Sequence, residues 1–344
     1  MKIGFLAKPA FEATGSFTRE GTTQNLFVRQ MRLMVGGTLG TDFEYFFETD
    51  SPNLGKANAD GSKTNTGLIL QDAVFTYKLT KDIKIDAGLI LVPLSHQSTQ
   101  GATNLATWDY HAYAFQQNGA MGSSTGRDGG AQVRGVVGGK EGNLEFRLGV
   151  FQGKRLALTP AVPTGPTDRA ASRNSLRLAG RAQWNFFEAE GGLFLGGTYL
   201  GAKKILAIGA GHDRQDDYSA TAVDIFMDLP LGQDGIQGQW NHVTWNGKTW
   251  LPTIKKQTTD FAEFGYRFGA VQLAPMVRYE SKKLDVPTVG EPDETRVGVG
   301  LAWWFKGHQS NLKAFYTRVE PKAPGIHTLK AYDQVNLQWQ WLLW

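Results

Sequence analysis

The chain has 344 residues, 12% of them aromatic, with 42 glycines, no cysteine and a formal net charge of +4. That length suits one large barrel or two soluble domains, and the missing cysteines remove disulfides, thiolate–metal centres and cysteine nucleophiles together. The positive charge is scattered rather than clustered as on a nucleic-acid surface, and no run approaches the roughly 18 uninterrupted apolar residues of a spanning helix.

From Lys2–Phe11, which already reads as strand, as expected of a mature or renumbered chain whose export signal is missing, the sequence is a series of period-2 segments without helical periodicity. The connections alternate in length. Long ones fall at about Gly15–Thr22, Ser51–Thr66, Ser95–Arg127, Gly153–Arg173, Leu200–Tyr218, Trp245–Thr258, Lys282–Asp293 and Glu320–Lys330. Tight turns lie around Gly40–Thr41, Thr80–Asp82, Lys140–Asn143, Glu188–Glu190, Gly232–Asp234, Gly269–Ala270 and Gly307–Ser310. This rhythm predicts a single all-β domain over residues 1–344: a transmembrane antiparallel up-and-down β-barrel of about sixteen strands. Both chain ends then share the short-turn side, in the periplasm.

The two faces of each strand differ. Phe43, Tyr45 and Phe47 oppose Asp42, Glu44 and Glu48; Leu144, Phe146, Leu148 and Val150 oppose Glu145 and Arg147. Leu176, Leu178, Gly180, Ala182 and Trp184 oppose Arg177, Arg181 and Gln183, and the odd residues Thr295–Phe305 oppose Glu294 and Arg296. A soluble sandwich also alternates, but its strands run nearer five or six residues than the 9–11 of a membrane strand. Trp184, Tyr199, Trp240, Tyr266, Tyr279, Trp303 and Trp304, near predicted strand ends, suit interfacial girdles. The segment around Gly191–Leu200 is ambiguous. In the last segment, Val335, Leu337, Trp339 and Trp341 are in phase with Leu343 and out of phase with Trp344. A bulge, or Trp344 at the interface, would reconcile the ending.

The run Phe27–Gly40, then Phe43-Glu44-Tyr45 and Leu70–Tyr77, resembles the opening strands of phosphate-selective porins O and P. Asp86-Ala87-Gly88 leading to Val92–Ser95, Gly126–Gln132, Gly149–Gly153, Asn311–Tyr316 and the closing strand extend the likeness along nearly the whole chain. The resemblance implies a sixteen-stranded, usually trimeric outer-membrane channel whose third long loop folds inward. Residues 95–127 are the longest connection and so the candidate constriction, offering His96, Asp109, Tyr110, His111, Tyr113 and Arg127. Phosphate-selective members carry arginines and lysines there, whereas Ser95–Gly126 has none.

By the face rule Lys84, Arg134, Arg147, Arg177, Arg181, Arg267, Arg278, Arg296 and Lys313 line the pore, opposed by Glu44, Glu48, Asp86, Glu145, Asp224, Asp228, Glu263, Glu280 and Glu294. The expected function is passive diffusion of small hydrophilic solutes or ions, without a cofactor. Two readings of Arg134, Arg147, Arg177 and Arg181 stand side by side: an anion-favouring patch, or pairs with neighbouring acids that merely stiffen the wall.

Enzyme readings fail on particulars. Asn246-Gly247-Lys248-Thr249 lacks the upstream glycine of a phosphate-binding loop, the place being held by His242, and the six histidines show no ligand spacing. His212, Asp213, Asp216 and Asp217 read as an acidic solvated loop before a calcium site. Outer-membrane lipid and small ions are the expected partners, with a homotrimer implied by the family and no nucleic acid. The alternative is a structural barrel that sheathes or anchors a periplasmic or surface protein, such as an electron carrier.

Overall fold

The computed structural model describes residues 1–16, 20–65, 67–123, 125–155, 175–323 and 329–344. Among them lie sixteen strands: β1 (Lys2–Thr14), β2 (Thr23–Leu39), β3 (Phe43–Asp50), β4 (Ile69–Lys78), β5 (Ile83–Leu91), β6 (Arg127–Gly138), β7 (Asn143–Phe151), β8 (Arg177–Asn185), β9 (Ile205–Gln215), β10 (Tyr218–Leu231), β11 (Asp234–Asn246), β12 (Gln257–Arg267), β13 (Leu273–Leu284), β14 (Asp293–Lys306), β15 (Ser310–Lys322) and β16 (Tyr332–Leu343). Each pairs antiparallel with its chain neighbours, and β1 also pairs with β16, closing the sheet. No backbone edge is left for hydrocarbon to meet.

Polarity is inverted relative to a soluble protein. Along β8, Arg177, Arg181, Gln183 and Asn185 are buried while Leu178, Ala182 and Trp184 stand exposed. On β14 the exposed set is Val297, Val299, Leu301 and Trp303. Polar groups packed inside and apolar ones left outside are stable only where the outside is lipid.

The seam runs in uniform register, with Phe5 opposite Leu343, Ala10 opposite Gln338 and Thr14 opposite Gln334. Trp344 therefore needs no bulge and does not sit at an outer interface. It turns inward, its ring 5.7 Å edge-on from Phe46 and beneath the Lys2 ammonium at 5.0 Å. The irregularity lies instead between β1 and β2, where the register shifts between Ala7 and Pro9. Pro9 has no N–H to give the ladder, and a bulge is where a sheet tolerates it.

Two further expectations are corrected. The stretch expected as a long fifth loop, Leu200–Tyr218, contains β9, and β9 meets β10 in a tight turn with Gln215 opposite Tyr218. The expected short turn at Glu188–Glu190 is part of a connection over residues 186–204. The inward face of β9 carries Ala207, Gly209 and Gly211, so it lacks the polar contrast that marks the other strands. His212 and Asp213 consequently point to opposite faces, one exposed and one buried, and form no common site. Tyr199 packs on Phe226 and Trp304 is buried, so neither joins the outer girdle, unlike Trp184, Trp240, Tyr279 and Trp303. Most of the fourth long loop, Gly153–Arg173, lies outside the described residues.

The small face of β9 has a packing reason. A Cβ added to Gly211 would lie 1.9 Å from the carbonyl oxygen of Leu94, where the third long connection leaves β5. Gly211→Ala is expected to displace that connection and destabilise the barrel by about 1–3 kcal/mol, as overpacked cores do. Urea titration of heat-modifiable gel migration measures it, and a wild-type midpoint would refute the contact.

Candidate permeation path

The inward face carries a ladder of ion pairs. Arg177 meets Asp213 at 2.6 Å and Asp128 at 3.1 Å; Arg134 meets Asp86 at 2.7 Å; Arg181 pairs with Asp224. Arg278 binds Glu280 and Arg296 binds Glu294, each at 2.6 Å, and Lys84 binds Glu44 at 3.0 Å. Of the expected pore-lining cations these six therefore have close carboxylates. The other three are held by neutral oxygens: Arg147 donates to the carbonyls of Leu193 and Gly192 at 2.6 and 2.7 Å, with Glu145 farther off at 3.8 Å. Arg267 donates to Gln272, and Lys313 to the carbonyls of Leu105 and Thr107 at 2.6 and 3.0 Å. The four arginines expected as a patch are thus largely engaged by the wall.

The third long connection, residues 92–126, is bonded to this same inward face on one strand after another. Lys8 of β1 holds the Ala102 carbonyl at 2.6 Å and Arg29 of β2 holds Asp109 at 2.6 Å. The His96 N–H donates to Asp224 on β10, that of Gln97 to Asn241 on β11, and the Thr107 hydroxyl to Glu263 on β12. Arg278 on β13 grips Thr107 Oγ1 and the carbonyls of Asp109 and Tyr110 within 2.8 Å, and Tyr113 bonds Glu294 on β14. Gln340 on β16 donates to the Thr103 carbonyl. A segment without lysine or arginine is thereby fixed by cations, carboxylates and amides that the strands supply.

The expected constriction residues consequently serve as struts. His96 is buried between Glu190 at 2.8 Å and Gln100 at 3.0 Å and stacks on Phe226. Tyr110 donates to the Gln100 carbonyl at 2.7 Å. His111 stacks on Phe261 and accepts the Tyr113 N–H; burial pushes its imidazole down to about 3, so it is neutral at neutral pH. Arg127, at the start of β6, is bonded bidentately to Asp72.

Several residues were not foreseen. Arg29 and Arg32 are three apart yet both engage interior partners, because the bulge opposite Lys8 shifts the phase of β2 between them. Arg32 pairs with Glu48 at 2.9 Å and Asp50 at 3.0 Å. Residues 186–204 also enter the interior and join the third connection. Leu195 forms a parallel bridge with Gln100, Gly101 N–H donates to the Leu195 carbonyl at 2.9 Å, and the N–H groups of Gly197 and Thr198 donate to Asn104. Only the glycine pairs of Gly191-Gly192 and Gly196-Gly197 hinted at this close approach; a Cβ on Gly197 would lie 2.7 Å from the Ala106 nitrogen.

Beside these segments lies a cavity of about 640 Å³ at the short-turn end, lined by β1–β4, Gly101–Asn104 of the third connection, Arg127 and Arg134 of β6, Leu193–Leu195 and the chain end.

Solved structures share this architecture. The anion-selective porin from Comamonas acidovorans aligns over 99% of both chains with 12% identity and a TM-score of 0.59. The trimer form of the outer-membrane protein OmpT from Vibrio cholerae aligns over 99% of both chains with 12% identity and a TM-score of 0.54. Salmonella typhi OmpF, in complex with daunomycin, aligns over 99% of this chain and 97% of that one, with 12% identity and a TM-score of 0.58. At such identities the likeness is one of fold. No curated protein matches the sequence. The sequence model for phosphate-selective porin O and P matches residues 11–210, more than half of the chain. With a closed sixteen-stranded barrel and an ion-paired interior behind that match, the chain belongs to the phosphate-selective porin O and P family.

Proposed function

We propose that this protein is an outer-membrane porin through which small hydrophilic solutes and ions diffuse passively, with the third connection as its constriction. The observation that carries the reading is the family's closed barrel combined with a polar, ion-paired inner face. A polar lumen inside a lipid-facing shell is a conduit for water and ions. Both termini and the short turns face the periplasm in this reading, and the barrel assembles as a homotrimer, as the trimer form of the Vibrio cholerae neighbour suggests. No catalytic step is assigned to any residue.

Selectivity follows from the pairing. Because Arg134, Arg177, Arg181, Arg278 and Arg296 are matched by carboxylates, their field at the pore is largely cancelled. Among the described residues Lys8, Arg267 and Lys313 have no carboxylate within 4.0 Å, while Asp228 and Glu263 have no cation, so the unpaired inner charges nearly balance and the anion preference is slight. In planar bilayers across a KCl gradient we expect stable conductance and a reversal potential shifted slightly toward that of chloride. A cation-selective current would overturn the anion preference, and absence of conductance would overturn the channel. A sheath around another protein gains no support, since residues 92–126 and 186–204 already occupy the interior.

A further inference from the structure

The cavity at the short-turn end is unlike the rest of the interior. Elsewhere inward rings such as Phe226, Phe261 and Trp304 are fully packed against interior segments, but here three partly exposed rings converge: Phe46 from β3, Phe194 from the 186–204 connection and Trp344 from the chain end. Phe46 lies 5.7 Å from each of the other two in edge-on geometry, and all three line the cavity. Phe46 and Trp344 occupy inward-facing positions where a water-filled wall would carry polar side chains. Half-exposed rings inside a conduit are unfavourable against water and favourable against an apolar solute.

Cations stand over these rings. The Arg127 guanidinium is 5.8 Å from the Phe194 centroid and the Lys2 ammonium 5.0 Å from that of Trp344, while Arg134 borders the same space. The acidic side chains that line the cavity are already engaged, Glu44 by Lys78 and Lys84 and Glu48 by Arg32. Lys2 has no carboxylate within 4.0 Å among the described residues. The site thus offers ring edges and faces together with one uncommitted ammonium and two guanidinium groups.

We infer that this cavity is a binding station for a small aromatic carboxylate on its way through the channel, with the ring among Phe46, Phe194 and Trp344 and the carboxylate toward Lys2. The inference rests on the channel reading and names a solute class for it. Aromatic edge-to-face contacts favour a benzene ring over a saturated ring of the same charge, while inorganic phosphate gains nothing from the rings.

The test is block of KCl current in planar bilayers by benzoate, cyclohexanecarboxylate and inorganic phosphate, added from either side. Benzoate is expected to half-block at a concentration roughly two- to tenfold lower than cyclohexanecarboxylate, given the strength of aromatic pairs. Phe194→Ala, in a connection rather than a strand, should erase that difference, read as the ratio of the two half-blocking concentrations in the variant channel. Lys2→Gln should weaken both carboxylates alike. Equal block by the two carboxylates in a conducting wild-type channel, or a difference that survives Phe194→Ala, overturns the inference and leaves the channel reading standing. If the protein does not conduct, the channel reading falls, and calorimetric titration of the detergent-solubilised barrel with the same three anions decides the cavity by the same preference.

Discussion

Excising residues 97–113 and bridging the gap with a Gly/Ser linker is expected to raise single-channel conductance several-fold and to shift ion preference. The excised stretch holds the bonds that draw the third connection across the interior: Ala102, Leu105 and Thr107 to the lysines, Asp109 to Arg29, and Thr107, Asp109 and Tyr110 to Arg278. Removing it should widen the proposed constriction and leave Lys8, Lys313 and Arg278 facing solvent instead of loop carbonyls. Those freed cations should move the reversal potential in a KCl gradient toward chloride. The strand registers do not depend on the loop, so the barrel should still show heat-modifiable migration. Wild-type conductance from a correctly folded variant would show that the third connection does not set the bore. A smaller rise is expected on removing Gly192–Gly197, which reaches the same partition from the other end.

Arg177→Met should produce the largest loss of stability among single changes to the wall. Arg177 is wholly buried, donates two bonds to Asp213 at 2.8 and 2.6 Å and one to Asp128 at 3.1 Å, and Asp213 accepts a further bond from Tyr218. Methionine fills similar space but leaves buried carboxylates without a counter-charge, a change that destabilises by about 3–5 kcal/mol. Arg177→Met with Asp213→Leu should recover much of the loss, since replacing a buried pair whole is far less harmful than halving it. Urea unfolding in lipid vesicles measures both. A loss below about 1 kcal/mol, typical of exposed pairs, would mean that water reaches this part of the wall freely. Arg318 with Asp333, half-exposed at 2.9 Å, provides the internal comparison and should show little effect.

Much of this was legible in the residues. Alternation along strands such as Leu144–Val150 and Thr295–Phe305 reflects a one-dimensional rule: adjacent side chains of an extended backbone face opposite ways, and only one of the two surroundings is hydrocarbon. Strand number, closure and the inward side of Arg177 or Arg278 therefore follow from the sequence, as does the length of the third connection. Where the interior packs against itself the rule loses its signal. The face of β9 is small because Leu94 presses on Gly211, and Gly191–Leu200 imitates a strand because its apolar residues meet other interior segments. Partners could not be read either. Whether Arg134 attracts a passing anion or is spent on Asp86, and whether Lys313 faces the pore or clamps Leu105, depends on contacts between residues 48 and 208 positions apart. Sequence alone determined which side of the wall residues occupy along regularly alternating strands, because that is set by local backbone geometry. Tertiary structure decided which inward charges remain free, because that depends on distant segments meeting inside a sealed volume where every polar group must find a partner.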